Sequence, residues 1–286
     1  MSAPSHGPVA ALLFNALVWG LSWIPLQALY RLGLHPLISI TLVFGGALAT
    51  LLLSRPASLR GLVRAPQLLA VSLAAGLTNI GFNWAVTIGD VVRVVLLFYM
   101  MPVWSVGLAW LMLGERPTRA ALLRLLLALL GVTLVLQRPG QAWPLPSGLA
   151  DWLALMGGFC FALTNVLLRR WRDTPGDARA LAMFGGGFVM AGALALGSGA
   201  LQTLPTAPVG DWLAWVSLLA IAVFGGNLAL QYGAARLPAQ VTALIMLSEV
   251  LFASVSAVLL GAATLTSATL VGGALIVLAA LLAIRR

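Results

Sequence analysis

The sequence predicts an all-α membrane protein of ten transmembrane helices with essentially no soluble domain. Three observations predict it. Of the 286 residues, 61% are hydrophobic and 8% are charged, whereas soluble domains carry about 25% charged residues. Apolar runs of roughly 20 residues, enough to cross about 30 Å of hydrocarbon, follow one another along the whole chain. The second half of the sequence also repeats the first. Mean hydropathy is +1.04, and ten spans with short loops use the full length.

Taken in order, the first span runs near 9–30. The preceding MSAPSHGP lacks the basic n-region of a cleavable signal, and the run is too long for a signal h-region. The chain is therefore expected to be held in the membrane by its own first helix. Further spans fall near 36–54, 67–87, 91–113, 119–137, 149–169, 180–199, 212–235, 239–260 and 266–284. The separators are RPASLRGLVRAP, GERPT, RPGQAWPLPSG, RRWRDTPGDAR, LQTLPTAPVGD and RLPAQ. Several carry proline, which starts helices and breaks their interiors.

Orientation follows from the arginines. With the N-terminus in the cytoplasm, thirteen of the sixteen fall on the cytoplasmic side: Arg55, Arg60, Arg64, Arg116, Arg119, Arg124, Arg169, Arg170, Arg172, Arg179, Arg236, Arg285 and Arg286. Arg31, Arg93 and Arg138 fall outside, so both termini are expected in the cytoplasm. Trp143, Trp152, Trp212 and Trp215 then lie near the outer interface, which favours the amphipathic indole. Every basic residue is arginine and none is lysine, which points to a GC-rich, bacterial genome and hence to the inner membrane.

Several functions are disfavoured by what the sequence contains. The net charge of +9 is spread over helix ends rather than gathered on one face, against nucleic-acid binding. Cys160 stands alone inside a span, and His6 and His35 are solitary, so no metal or cofactor site is expected. There is no H-E-x-x-H, no G-x-S-x-G and no G-x-x-x-x-G-K-[ST], against an enzyme or an ATPase. Neither a ring of charge nor a carbonyl filter marks a channel.

Sliding the second half onto the first by 148 positions pairs Asn79 with Asn227, Asn83 with Gln231 and Trp84 with Tyr232. Further on, Ala109 meets Ala257, Leu111 meets Leu259 and Thr118 meets Thr266. The expected units are 1–138 and 149–286, five helices each, joined by an outer linker at 139–148. A five-helix unit crosses the membrane an odd number of times, so its second copy enters from the other side. The arginines agree: they follow helices two and four in the first half, and the first, third and fifth helices of the unit in the second. Inverted repeats suit secondary transporters, whose halves rock about a site near the midplane.

The two five-helix halves, the tract PVWSVGLAWLMLGE (102–115) and the tract LPAQVTALIMLSEVLFASVSAVLLG (237–261) resemble the drug/metabolite transporter superfamily. More narrowly they resemble its EamA-type exporters, which include the YddG aromatic amino-acid exporters. The usual Glu-Pro pair reads Glu249-Val250 here, and the terminal Gly-Glu reads Ala262-Ala263. The resemblance implies ten helices around a central cavity, and export of amino acids or related small metabolites. A lipid bilayer and a small-molecule substrate are the expected partners, and a monomer suffices because both halves lie on one chain.

In lipid, polar side chains face the protein interior or a wet cavity. Asn15, Trp19 and Ser22 form one stripe on the first helix. Asn79 and Asn83 pair at i,i+4 on the third helix, with Trp84 beside them; Asn227, Gln231 and Tyr232 repeat this on the eighth. Tyr99, Met100 and Trp104 flank Pro102, and the sixth helix offers Phe161, Thr164 and Asn165. Each amide alone is better explained as an interhelical hydrogen-bonding group than as a lining of the path. Together, Trp19, Trp84, Tyr99, Trp104, Phe161 and Tyr232 are aromatics near mid-span, suited to a flat, partly apolar solute. Glycines such as Gly157, Gly158, Gly185, Gly186, Gly187, Gly225, Gly226, Gly272 and Gly273 are read as sites of close helix packing.

Glu249 is the one acid well inside a span. An ionised carboxylate at the bilayer centre costs a few kcal/mol, so it is expected uncharged unless paired or wet. Two readings stand: proton coupling or an ammonium contact, and a neutral acid bonded to its surroundings. Asp90 and Arg93, at i,i+3, read as a structural pair or an outer gate. Glu115 beside Arg116 reads as a loop salt bridge or an inner gate.

Overall fold

The computed structural model describes residues 6–114, 118–136, 145–171, 173–202, 205, 207–234, 236, 245–246, 248–263 and 265–284. The elements described are helical. In chain order they are α1 (His6–Leu21), α2 (Trp23–Arg31), α3 (Pro36–Ser54), α4 (Ala57–Arg64), α5 (Leu68–Ile88), α6 (Val91–Phe98) and α7 (Met101–Leu113). There follow α8 (Arg119–Leu136), α9 (Leu149–Arg170), α10 (Gly176–Gly197), α11 (Val209–Ala234), α12 (Ser248–Leu259) and α13 (Ser267–Ile284). Seven helices among the described residues are long and apolar enough to cross a membrane; three shorter apolar helices lie at Leu122–Val135, Ser248–Leu259 and Ser267–Ala279. The chain is a multi-pass membrane protein.

Proline sets the two internal breaks. Pro25 has no N–H to return to Leu21, and the helix breaks at Ser22, whose backbone N–H (3.2 Å) and hydroxyl (2.8 Å) both turn back to the Trp19 carbonyl. Pro102 has none to return to Phe98, and the fourth apolar segment divides into α6 and α7 at Tyr99–Met100. Other ends are capped: the His35 ring accepts from Leu37 N–H (3.2 Å) ahead of Pro36, and Gly114 closes α7 at φ 72°. Burial lowers the His35 pKa. The separator after α3 is not simply a loop. Between Pro56 and Pro66 it forms α4, which lays Gly61 on the Ala178 side chain of α10.

Backbones approach closely where side chains are absent. A Cβ on Gly81 of α5 would lie 2.6 Å from the Leu153 carbonyl oxygen of α9, and one on Gly186 of α10 would strike the Ser72 carbonyl oxygen of α5. Gly131 of α8 and Gly272 of α13 meet backbone to backbone, and Arg124 of α8 donates to the Leu282 carbonyl of α13 at 2.9 Å. Those two contacts make α8 and α13 antiparallel. At the offset of 148 the bounds of α8 fall on those of α13, 119 on 267 and 136 on 284. Gly185 has open space around it, so the packing role expected of it is not visible there.

The core gathers where α5, α6 and α9 meet. The residues from Val91 to Met100 are nearly all buried, whereas those from Met101 to Leu113 are partly or fully exposed where described. α6 packs against α5, α8, α9, α12 and α13; α7 packs against α8 and α9.

Candidate functional site

Two side-chain constellations stand out, one at mid-bundle and one at the end where α6 and α9 begin. The first is a chain of rings across four helices. Trp19 of α1 meets Phe82 of α5 edge-on at 6.4 Å, Phe82 meets Phe98 of α6 at 4.7 Å, and Phe98 meets Phe161 of α9 at 5.5 Å. Phe98 also meets its neighbour Tyr99 at 6.4 Å. The Tyr99 hydroxyl, at the α6–α7 break, donates to Glu249 Oε2 of α12 at 3.3 Å. On the other side, Gly20 brings α1 so close to α12 that a Cβ there would lie 2.9 Å from the Glu249 carbonyl oxygen. Glu249 therefore sits between the turn of α1 that carries Trp19 and the broken helix that carries Tyr99.

The break itself is held by α9. The Phe98 carbonyl, left without its helical donor by Pro102, faces Gly158, where a Cβ would lie 2.5 Å away. A hydrogen is all that fits.

The second constellation is an ion pair. Arg93 Nε donates to Asp151 Oδ1 at 2.8 Å and Arg93 Nη2 to Oδ2 at 2.9 Å, a bidentate pair whose side chains are 11% and 4% exposed. Asp151 Oδ2 also accepts from the Ser147 backbone N–H (3.0 Å) and hydroxyl (3.2 Å), and Arg93 Nη1 donates to the Val135 carbonyl. The starts of α6 and α9 and the end of α8 are thereby tied together. Local sequence pattern does not single out Asp151. An acid in the first turn of a helix reads as a helix-dipole residue, and its partner lies 58 positions away. Asp90 caps α6 by accepting from the Arg93 backbone N–H at 2.9 Å, and Arg93 forms an ion pair with Asp151.

The remaining expected residues divide. Asn15 is buried, with its amide nitrogen 3.4 Å from the Met246 sulfur and its Oδ1 turned towards Gly226 without a partner. Tyr99 and Met100 are buried, and Trp104 stacks edge-on against Phe159 at 5.6 Å with its indole N–H buried and unpartnered. Asn79, Asn83 and Thr164 turn back on their own helices, to the carbonyls of Ala75, Asn79 and Cys160 at 2.8–2.9 Å. Ser22 does likewise at the α1 break. Trp84 is not with the ring chain: it meets His35 at 5.3 Å, near the Arg93 end. Tyr232 is at the opposite end of the bundle, exposed, with the Arg236 guanidinium 3.9 Å above its ring. Asn165 is exposed, and Asn227 is partly exposed. Glu115, the Gln231 side chain and linker residues 139–144 lie outside the described residues.

The bundle thus carries a buried bidentate ion pair where α6 and α9 begin and an acid at the end of an aromatic chain. The chain belongs to the EamA-like transporter family, whose model matches residues 7–137 and 148–285, once in each half. It is thus a membrane transporter of small molecules, in a family of transporters rather than enzymes. A search of curated proteins gave no match. Among solved structures, one titled "Crystal structure of protein" is similar in fold, with a TM-score of 0.59 at 20% identity over 98% of this chain and 96% of the other.

Proposed function

We propose that this chain is a secondary transporter that exports small metabolites, above all amino acids with aromatic or other apolar side chains, across the bacterial inner membrane by alternating access. The seven long apolar helices and three shorter ones among the described residues support a reading of ten crossings, and the arginine distribution supports both termini in the cytoplasm. The antiparallel α8 and α13, equal in length and 148 positions apart, support two inverted five-helix halves.

The observation that carries the reading is the unequal packing of the fourth span. Among the described residues its first half, α6, is nearly all buried and packs against α5, α8, α9, α12 and α13, whereas its second half, α7, is partly or fully exposed and packs against α8 and α9. A solute pathway closed at the Arg93 end and open at the other accounts for this difference. Arg93 and Asp151 are then the outer gate, and turnover separates them. The aromatic chain from Trp19 to Phe161 gives a flat apolar side chain a stacking surface. Both halves are on one chain, so a monomer is sufficient.

The test is uptake into liposomes holding the purified protein, across a panel of amino acids, amines and sugars. Saturable flux of aromatic or other apolar amino acids is expected. Flux of an unrelated class without them would end the substrate proposal, and ion currents in place of saturable flux would end the carrier proposal.

A further inference from the structure

We infer that this pathway selects its solute by an ammonium group, with Glu249 as the counter-ion and the neighbouring rings as the surface for the solute's body. The inference rests on the transporter reading above and narrows its substrate class to aromatic ammonium compounds, amino acids and simple amines alike.

The disposition of charge carries it. Of the acids in the described residues, Asp151 is neutralised by Arg93, Asp90 caps α6, Asp173 lies in the turn between α9 and α10, and Asp177 and Asp211 lie in the first turns of α10 and α11 at the bundle ends. Glu249 lies in the bundle interior, bonded to a buried tyrosine, and no arginine of the described residues forms an ion pair with it. Arg93, the arginine on α6, is held by Asp151 and the Val135 carbonyl. Among the described residues an anionic solute thus meets no arginine paired with this carboxylate. A cation meets a carboxylate that carries the Tyr99 hydroxyl, on a helix packed closely against Gly20 of α1. Rings attract a cation over their faces, most strongly where water is excluded. The same rings then receive the aromatic part of the solute, since Phe98 joins Tyr99 to Phe82 and Phe161.

A purely structural Glu249 makes a different forecast. A neutral acid that only accepts from the Tyr99 hydroxyl is replaced without loss by glutamine, which keeps the shape and an acceptor oxygen. A counter-ion is not, because its charge is what binds. The carboxylate of an amino acid should then contribute little, and decarboxylated analogues should bind as well.

The experiment is calorimetric binding to the purified full chain, with phenethylamine, phenylalanine and phenylpropionate as probes. Phenethylamine and phenylalanine are expected to bind and phenylpropionate is not. Glu249→Gln should weaken phenethylamine by about tenfold or more, and Glu249→Asp, which keeps the charge, by less. Phenylpropionate binding as tightly as phenethylamine, or Glu249→Gln leaving phenethylamine unchanged in a protein that still melts cooperatively, would overturn the inference. Liposome flux of phenylalanine is read separately. Flux with no effect of Glu249→Gln defeats the counter-ion and leaves the carrier standing, whereas absent flux with intact amine binding defeats the substrate proposal alone.

Discussion

Two arginines tie the fourth span to α9, one at each end, and they are not equivalent. Arg93 on α6 reaches Asp151 of α9 in a buried bidentate pair, with further bonds to Ser147 and Val135 drawing in the surroundings. At the other end Arg170 of α9 reaches back to the Met112 carbonyl of α7 at 2.6 Å, and that arginine is exposed. Both ties span 58 positions, so the two helices run parallel in constant register. One tie is a charge pair out of water, expensive to break from one side. The other is a single hydrogen bond that water can replace. A carrier needs this kind of inequality: an end that is shut and specific, and an end that is loosely held.

Substitutions sharpen the contrast in order of size. Asp151→Ala leaves Arg93 buried without its charge, and the expected loss is roughly 3–5 kcal/mol, seen as reduced folded yield and a lower unfolding temperature in detergent. Next comes the joint between the two halves. Gly158→Ala forces a methyl onto the Phe98 carbonyl and should cost about 1–3 kcal/mol, because both sides of the clash are backbone. Arg170→Ala should change stability by no more than about 0.5 kcal/mol, as an exposed substitution does. Equal losses for Asp151→Ala and Arg170→Ala would erase the contrast.

The smallest effect concerns His35, which caps α3 and packs on Trp84. Burial disfavours its imidazolium, so the unfolded chain takes up the proton more readily than the folded one. His35 therefore leaves stability undiminished above the ordinary value of 6.5, and stability declines as pH falls below it. Protonation of the accepting nitrogen also removes the bond from Leu37 N–H. Unfolding temperatures of the wild type and His35→Ala at about pH 7.5 and about pH 5.5 check this, and the variant should show the shallower slope.

Much of the fold is legible in the sequence because a bilayer imposes one rule on every span. Apolar length gives the segments, Pro102 marks the break in the fourth, and the pairing of Thr118 with Thr266 falls where α8 and α13 begin. Depth is less legible. Trp84 and Tyr232 lie within apolar runs, yet one meets the cap of α3 and the other an exposed arginine, since an aromatic near a helix end looks the same in sequence as one at its middle. The amides mislead for a local reason: Asn79 and Asn83 satisfy themselves on their own helix, a choice that i,i+4 spacing leaves open. Glu249 was legible, because an acid in a membrane span has few reasons to be there. Its partner Tyr99, 150 positions away, and the Arg93–Asp151 pair depend on tertiary neighbours that no local pattern encodes.

The central claim, a pathway closed at one end by Arg93 and Asp151, has a direct test in thiol labelling. With Cys160→Ser as background, Val95→Cys places a reporter in the sealed α6 and Trp104→Cys one in the loosely held α7. A membrane-impermeant thiol reagent is applied to each face of the membrane in turn. Position 95 should label slowly, and adding Asp151→Asn should raise its rate by about tenfold from the Arg93 side while position 104 is unchanged, an opening worth roughly 1.4 kcal/mol. Equal labelling at 95 with and without Asp151→Asn would contradict the gate.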